Sequence, residues 1–284
     1  MRLKITHRTE CRYDEPVNYA LQRLRLVPCS GATQKVRAWT LSIEGAHEEV
    51  RFSDHFENDT RLISVSGDPK LISFEASGEV ETYNKAGVIG LHHGFAPLWL
   101  FMRETELTMP GDGAMALAAA VGEGADIARL HELMALMGEA PDPTDGETPA
   151  DADAVQALVQ ASGAGQSQTQ ESSAAQGEVR TGGTIRDQAE MFIAVARLLG
   201  FPARYVSGYL IPDGAAEKAA SHAWAEAHVE GLGWVGFDVA NLMSPDETYV
   251  RVTTGRDHRD AMAVSGIRLG QAEERLAVSI SLEQ

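Results

Sequence analysis

The sequence predicts an α+β protein in which an N-terminal antiparallel β-sandwich is followed by a core of one buried helix packed on an antiparallel sheet. Three observations lead to this prediction. Residues 1 to about 103 alternate apolar and polar side chains with period two, residues 115–137 place apolar side chains at helical spacing, and the last third combines one helical run with short alternating runs. A helix layer on an antiparallel sheet is the α+β arrangement.

The first hundred residues contain six short alternating runs, separated by Asp, Asn, Gly and Pro. They are residues 3–7, 24–28, 36–43, 60–65, 71–75 and 78–82. Short strands with such turn residues between them are typical of a β-sandwich. Residues 97–103 predict a crossover packed by Trp99, Leu100 and Phe101.

The middle of the chain divides into two parts. Residues 115–137 carry an apolar stripe that predicts one or two core helices. Residues 139–180 are rich in Gln, Ser, Gly and Ala, with a short helical pattern at 152–160, and predict a mobile loop because they offer little apolar area to bury. The expected domains are a sandwich at 1–103, a helical and acidic segment at 104–180, and a core at 181–284.

The last third begins with a helical pattern at residues 188–199, and Gly200 and Pro202 signal its end. Alternating runs follow at residues 203–211, 223–229, 233–238, 250–252 and 275–281. We therefore expect one buried helix against an antiparallel sheet.

The composition excludes some classes of partner. The net charge is −17, and residues 104–178 contain 14 acidic residues but one basic residue, Arg129. Nucleic acids and anionic membranes require a basic surface, so neither is an expected partner. The N-terminus has no apolar signal segment and no stretch is long enough for a membrane span, which predicts a cytoplasmic protein. Cys11 and Cys29 are expected to be free thiols, although pairing between neighbouring strands stays open.

Two residues in the last third form a candidate site. His222 lies in the run SHAWAEAHV, and Asp238 ends the run GWVGFD a few residues later. If these runs are neighbouring strands, the imidazole and the carboxylate can meet as a general base and the group that orients it. His228 and Glu226 share a face with Trp224 in a regular strand, where a packing role for His228 is the simpler interpretation.

Four segments together resemble the core of bacterial transglutaminase-like proteins. They are FPARYVSGYL at 201–210, SHAWAE at 221–226, GWVGFDVAN at 233–241 and GRD at 255–257. The first hundred residues also resemble the β-sandwich that precedes this core, through residues 24–28, 54–58 and 105–110. The resemblance covers nearly all of the chain except about 139–180.

The resemblance implies a papain-like fold in which a Cys at the start of the buried helix attacks an amide, with a His as base and an Asp orienting it. His222 and Asp238 match the base and the orienting residue. The helix-entry pattern aligns with Gly-Thr-Ile-Arg-Asp at 183–187, which places Ile185 where the Cys is expected. Gln188 and Glu190 also depart from the aromatic or His residues often present in this turn of the family.

Other nucleophiles are poor replacements for the missing Cys. Thr184 leaves the helix start in another direction, Ser221 points to the opposite strand face from His222, and Cys11 and Cys29 belong to the sandwich. The sequence contains no phosphate-loop or zinc-ligand spacing, and the adjacent His92 and His93 predict a surface loop and not a metal site. No cofactor and no metal are expected.

Two functions follow from these residues. The first is a pseudoenzyme without the catalytic cysteine, which acts as a peptide- or protein-binding or regulatory module and partners a peptide or an active transglutaminase-like relative. The alternative is an active amide or peptide hydrolase or acyltransferase of the same fold that uses a non-cysteine nucleophile or a water activated by His222 and Asp238. A His222 retained for packing alone fits the first function.

Overall fold

The computed structural model describes residues 1–17, 19–65, 67, 69–139, 184–211, 220–269 and 274–283. Thirteen strands and three α-helices are found in these residues. In chain order the elements are β1 Arg2–Tyr13, β2 Tyr19–Val27, β3 Gln34–Glu44, β4 His47–Ser53, β5 Asp59–Val65, β6 Leu71–Thr82, β7 Val88–Gly90, α1 Asp112–Ala120, α2 Asp126–Glu139, α3 Ile185–Leu198, β8 Ala203–Leu210, β9 Ala220–Val229, β10 Gly233–Phe237, β11 Tyr249–Gly255, β12 Val264–Leu269 and β13 Glu274–Glu283.

The sandwich consists of two four-stranded antiparallel sheets. One has the strand order β13-β1-β6-β3 and the other β12-β2-β5-β4. The inward-facing side chains of the two sheets form a common apolar core that includes Leu24, Ile63, Ile72 and Phe74, all fully buried. This agrees with the predicted sandwich, because the alternating residues of each strand supply one buried face.

The domain boundaries differ from the sequence-based assignment. β12 and β13 come from the last 21 residues of the chain, which were assigned to the core, but they pair with β2 and β1 of the sandwich. In the opposite sense, β7 from the N-terminal hundred residues pairs with β10 of the core sheet. Period-two alternation predicts a strand but carries no information about which sheet the strand joins.

The core sheet has five antiparallel strands in the order β11-β8-β9-β10-β7. α3 packs on β8 and β9, and α1 and α2 pack on α3. Three small residues of β9, Ala223, Ala225 and Ala227, lie in the same apolar cluster as Phe192 and Ile193 of α3. Small side chains on the strand allow the helix backbone to approach the sheet closely. This is the predicted α+β core.

The boundaries of the helices follow from local chemistry. The stripe at 115–137 corresponds to α1 and α2. Residues 98–102 form a short 3₁₀ helix at the predicted crossover, where Phe101 is buried as predicted but Trp99 is 59% exposed, so its predicted packing is wrong. α3 ends before Gly200, whose φ of 94° is left-handed and favours glycine, as the stop signal predicted. The predicted loop at 139–180, with its short helix at 152–160, falls outside the described residues beyond Glu139.

Candidate functional site

Two strands of the core sheet bring His222 and Asp238 together. His222 lies near the start of β9, and Asp238 follows the last residue of β10. His222 Nε2 donates to Asp238 Oδ2 at 2.6 Å, and both side chains are buried. The hydrogen bond predicted between these two residues is confirmed. Because Nε2 is bound to the carboxylate, Nδ1 is the ring nitrogen that remains for proton transfer to another group.

Three groups besides His222 donate to the Asp238 carboxylate. Tyr249 Oη and the side-chain Nδ2 of Asn241 each lie 2.7 Å from Asp238 Oδ2. The backbone nitrogen of Asn241 lies 3.3 Å from Asp238 Oδ1. Burial acts to raise the pKa of Asp238, but the hydrogen bonds from His222, Tyr249 and Asn241 outweigh it and hold the pKa below its ordinary value. Asp238 is therefore an ionised carboxylate that can fix the tautomer of His222. The sequence analysis quoted Asn241 only as the end of the segment 233–241 and assigned no role to Tyr249.

Aromatic side chains hold the imidazole of His222 in place. Its ring stacks on Trp224 with 6.3 Å between ring centroids, and Tyr249 meets it edge-on at 5.8 Å. Gly208 pairs with His222 across the sheet, and a Cβ at Gly208 would lie 2.9 Å from the Trp224 ring and 2.1 Å from the Val250 carbonyl oxygen. This approach requires glycine at Gly208, so the strand glycine serves packing.

Ile185 is the first residue of α3, as predicted, and it is half-buried. Thr184 is the N-cap: its hydroxyl accepts from the Asp187 amide, and Asp187 Oδ2 accepts from the Thr184 amide at 3.0 Å. This reciprocal cap fixes the helix start, where a thiolate or another anion would be stabilised by the helix dipole. Ile185 has no lone pair and no ionisable proton, so it cannot serve as nucleophile.

Because the resemblance aligns Ile185 with the nucleophile and His222 with the base, it implies a contact between these two side chains, and this contact remains a prediction. The β9 face that packs on α3 carries Ala223, Ala225 and Ala227, and His222 is on the alternate face of the strand. Ser221 is adjacent to His222 and so points to the opposite face, while the Thr184 hydroxyl is used by the helix cap.

Glu190 forms a buried polar group one turn into α3, and the sequence analysis noted it only as a departure from the family pattern. Its Oε1 accepts from the His258 amide at 3.2 Å, and 6% of the residue is exposed. Burial, to which the charge of Asp257 adds, raises the pKa of Glu190 to about 7. Burial also lowers the pKa of the His258 ring to about 4. These two groups are consequently neutral over much of the mildly acidic range.

Replacing Glu190 with Gln is expected to change how stability depends on pH. Between pH 4.5 and 7 the unfolded chain loses the Glu190 proton while the folded chain keeps it, so wild-type stability falls as pH rises through this window. A glutamine side chain cannot ionise, and the stability of the variant relative to wild type should grow by up to about 3 kcal/mol across the window. Urea unfolding at pH 4.5, 6 and 8 measures this. The exposed Glu230, replaced with Gln, is the control, and a pH-independent difference for Glu190→Gln contradicts the expectation.

Glu226 lies on the same face of β9 as His222, but in an ion-pair cluster. Arg204 Nε donates to Glu226 Oε2 at 2.6 Å, and Arg251 Nε lies 3.2 Å from Oε1. Glu226 is 0% exposed. Burial acts to raise the pKa of Glu226, but the charges of Arg204 and Arg251 outweigh it and lower the pKa. Glu226 is therefore a structural carboxylate, and His228 packs edge-on against Trp234 at 5.4 Å.

The remaining candidates are located in the sandwich and the segment after β7. His92 donates from Nε2 to the Ala96 carbonyl and accepts from Trp234 Nε1 at Nδ1, while His93 is exposed in a loop. In the described ranges, no group of three or more His, Cys, Asp and Glu side chains is placed to hold a metal ion. None of the described helices is long and apolar enough to cross a membrane.

Neither Cys11 nor Cys29 forms a disulfide, and alkylation should be slow at both. Cys11 is buried, and Cys29 is exposed with its Sγ 3.4 Å from the Glu57 carbonyl oxygen. Neighbouring protein atoms shield the Cys29 sulfur from water, and this desolvation raises the pKa of the thiol. The fraction of reactive thiolate near pH 7 is therefore lower. Mass spectrometry should show that iodoacetamide labels Cys29 more slowly than it labels free glutathione. Cys11 should be labelled only when the protein unfolds. Labelling of either thiol faster than glutathione would show a reactive site.

Two family models match this chain. Residues 3–81 match the bacterial transglutaminase-like N-terminal region. Residues 116–239, which include Ile185, His222 and Asp238, match the transglutaminase-like superfamily. This second region is therefore similar to the transglutaminase-like core. The resemblance stated from the sequence is supported at the level of these two regions.

Individual proteins extend this comparison. An uncharacterized protein of Mycobacterium leprae is 24% identical over 295 residues, which cover 99% of this chain and 98% of that protein. An uncharacterized protein of Mycobacterium bovis is 32% identical over 111 residues, 36% of this chain and 35% of its own. The crystal structure of a candidate cysteine protease from Cytophaga hutchinsonii covers 100% of this chain and 91% of that chain, with a TM-score of 0.67 at 17% identity. This structural likeness shows that the two proteins share a fold over both the sandwich and the core.

Proposed function

We propose that this protein is a transglutaminase-like pseudoenzyme that lacks the catalytic cysteine and acts as a peptide- or protein-binding or regulatory module. One observation carries the proposal: Ile185 stands at the first position of α3, while the His222–Asp238 pair is retained. In the superfamily this helix position carries the thiol that attacks an amide. Here a branched hydrocarbon side chain stands there, so no acyl-enzyme can form at that atom.

The chemistry of the site supports loss of turnover. A His–Asp pair raises the nucleophilicity of a neighbouring thiol or hydroxyl, but it supplies no acyl acceptor of its own. When the nucleophile of such a unit is removed, the rate falls by roughly 10⁶-fold. The pair still contributes packing and hydrogen bonds to the end of the core sheet, through Trp224, Tyr249 and Asn241. Retention of His222 and Asp238 therefore does not require catalysis.

The proposed partner class follows from the fold. Transglutaminase-like cores handle amides of peptides and proteins, and the C. hutchinsonii neighbour is a candidate cysteine protease. A core that keeps this fold but lacks the thiol can bind a peptide without consuming it. An active transglutaminase-like relative is the other proposed partner. Ile185 would then supply apolar contact at the position where a substrate carbonyl is otherwise attacked.

The alternative function is an active hydrolase or acyltransferase that uses water or a hydroxyl. The intact and fully oriented His222–Asp238 pair favours it, because a buried imidazole bound to an ionised carboxylate is a competent base. This alternative predicts an activity that depends on His222, whereas the pseudoenzyme hypothesis predicts no such activity. The two functions are therefore separated by one variant.

The test compares wild type with His222→Gln on fluorogenic peptide amides, p-nitrophenyl esters and an amine-donor transfer assay. The pseudoenzyme predicts equal, background rates for both proteins at every pH between 5 and 9. A wild-type rate more than about tenfold above His222→Gln, with a pH profile that the variant loses, establishes the alternative. In parallel, a labelled peptide library is titrated against wild type and Ile185→Trp. Peptides that bind the wild type but not the Ile185→Trp variant support the proposed binding role. If no peptide in the library binds, the proposed peptide-binding role is wrong.

A further inference from the structure

We propose that a second site, between the sandwich and the core sheet, binds a small organic carboxylate with an apolar body. The site is a cavity of about 340 Å³, called here the interdomain cavity. Its walls come from the β2–β3 loop at 29–32, the β4–β5 loop at 55–58, the segment 89–96 after the start of β7, and residues of β8, β10 and β11. Ligand pockets of proteins begin at roughly this volume. The site lies outside the His222–Asp238 pair and does not depend on the proposed function.

The apolar part of the interdomain cavity is an aromatic cluster. Phe56, Phe101 and Trp234 are buried, with ring centroids 5.7 Å apart for Phe56 and Phe101 and 5.1 Å apart for Phe101 and Trp234. Trp234 is held by its hydrogen bond to His92, so the cluster is fixed before any ligand arrives. A rigid aromatic wall binds the apolar body of a ligand at a low cost in side-chain entropy.

The polar part of the cavity is cationic. Arg204 lies 3.9 Å from the centroid of the Trp234 ring, and Arg251 lines the cavity beside it. Both guanidiniums share the Glu226 carboxylate, so two positive charges face one negative charge in the interior. Burial lowers the pKa of Arg204 to about 10, which still leaves it fully charged near pH 7. The Arg204–Glu226–Arg251 cluster therefore carries one uncompensated positive charge.

Arg251 is the residue of this cluster that is free to bind a ligand. Its Nε is buried and, 3.2 Å from Glu226 Oε1, does not make a well-formed hydrogen bond within the described part of the chain. A quarter of the Arg251 side chain is exposed, unlike Arg204. The fork of a guanidinium matches a carboxylate in two parallel hydrogen bonds. A ligand carboxylate would neutralise the surplus charge and satisfy donors that the protein leaves unused.

The other titratable groups of the cavity fit a monoanion. Glu57, His55 and His93 line the cavity and are exposed, so solvent screens the single negative charge of Glu57. His92 also lines the cavity, but both of its ring nitrogens are used by Ala96 and Trp234. With one surplus charge inside and an aromatic wall beside it, a monocarboxylate with an aryl or alkyl body is the ligand class that matches both. A polyanion would exceed the available positive charge.

The experiment measures binding of phenylacetate and of its neutral isostere phenylacetamide to the full chain by ligand-observed NMR titration. We expect saturable binding of phenylacetate with a dissociation constant below about 10 mM and at least tenfold weaker binding of phenylacetamide. Arg251→Met should weaken phenylacetate binding at least tenfold, because it removes the guanidinium that would pair with the ligand carboxylate. The variant should still fold, since Arg204 continues to neutralise Glu226. N-acetyl-Gly-Phe and its C-terminal amide form the second arm, which shows whether a peptide C-terminus or a free acid is the better source of the carboxylate.

Two glycine variants, one in the cavity and one outside it, distinguish a blocked cavity from a general effect of the substitution on folding. Gly31 lines the cavity and a Cβ there meets no atom within 4 Å, so Gly31→Phe should block the cavity without strain and abolish binding. Gly124, between α1 and α2, has the same open surroundings, and Gly124→Phe should bind as wild type does. His222→Gln should also leave binding unchanged. The proposal is overturned if phenylacetate does not saturate, if acid and amide bind equally, or if Gly31→Phe and Gly124→Phe behave alike.

Discussion

Replacing Glu226 with Gln is expected to lower the free energy of unfolding by about 3–5 kcal/mol, because it leaves the buried Arg204 and the partly buried Arg251 without their shared carboxylate. Glu226 is fully buried and ion-paired with both Arg204 and Arg251. Gln has almost the same shape, so the loss comes from charge and not from a cavity. The side-chain amide can accept one hydrogen bond but cannot neutralise either arginine.

An exposed ion pair supplies the control for this measurement. Arg259 and Glu106 are paired with side chains 60% and 78% exposed, and Glu106→Gln should cost less than about 1 kcal/mol. Both variants are compared with wild type by urea unfolding at pH 7. Equal, small losses for Glu226→Gln and Glu106→Gln would mean that the Glu226 cluster is hydrated, and would weaken the charge argument for the interdomain cavity as well.

The sequence analysis found the parts of the site that are encoded locally. His222 and Asp238 were identifiable because each stands at a fixed place in a strand run, and neighbouring antiparallel strands must bring such ends together. Ile185 was identifiable because residues 183–187 resemble the helix-entry pattern of the family, and the structure places Ile185 directly after the Thr184 cap. The α+β core and the sandwich were predictable for the same reason, from periodicity and turn residues.

The parts that the sequence analysis did not find depend on contacts between distant segments. Arg251 joins Glu226 only because β11 and β9 flank β8, and no sequence spacing between them indicates an ion pair. The solvent-facing residues of β4, which lies at a sheet edge, have no buried alternation to reveal the strand. β12 and β13 are strands by pattern, but their pairing with the sandwich is a property of topology. Glu190 acquires its neutral form from burial under the His258 loop.

Replacing Ile185 with Cys is expected to create a reactive thiol at the start of α3. The first position of a capped helix places the sulfur in the positive end of the helix dipole, which should lower the thiol pKa below the free value of about 8.5. In a Cys29→Ser background, iodoacetamide should label Cys at this position at least tenfold faster than it labels Cys29 in the wild type at pH 7. The substitution should cost about 1–3 kcal/mol of packing.

The double variant Ile185→Cys with His222→Gln separates the two sources of reactivity. If His222 reaches the new thiol, its removal should slow alkylation about tenfold and shift the pH dependence of the rate upwards, because the imidazole no longer stabilises the thiolate. If the helix start alone activates the thiol, the two variants should react at the same rate. We expect the first result, because the resemblance implies a thiol at this position beside His222 and Asp238 still orients the imidazole. Peptide-amide turnover should stay inefficient, because Gln188 and Glu190 also differ from the family. Equal rates would show that the distance between α3 and His222, and not the missing sulfur alone, prevents His222 from activating a thiol at this position.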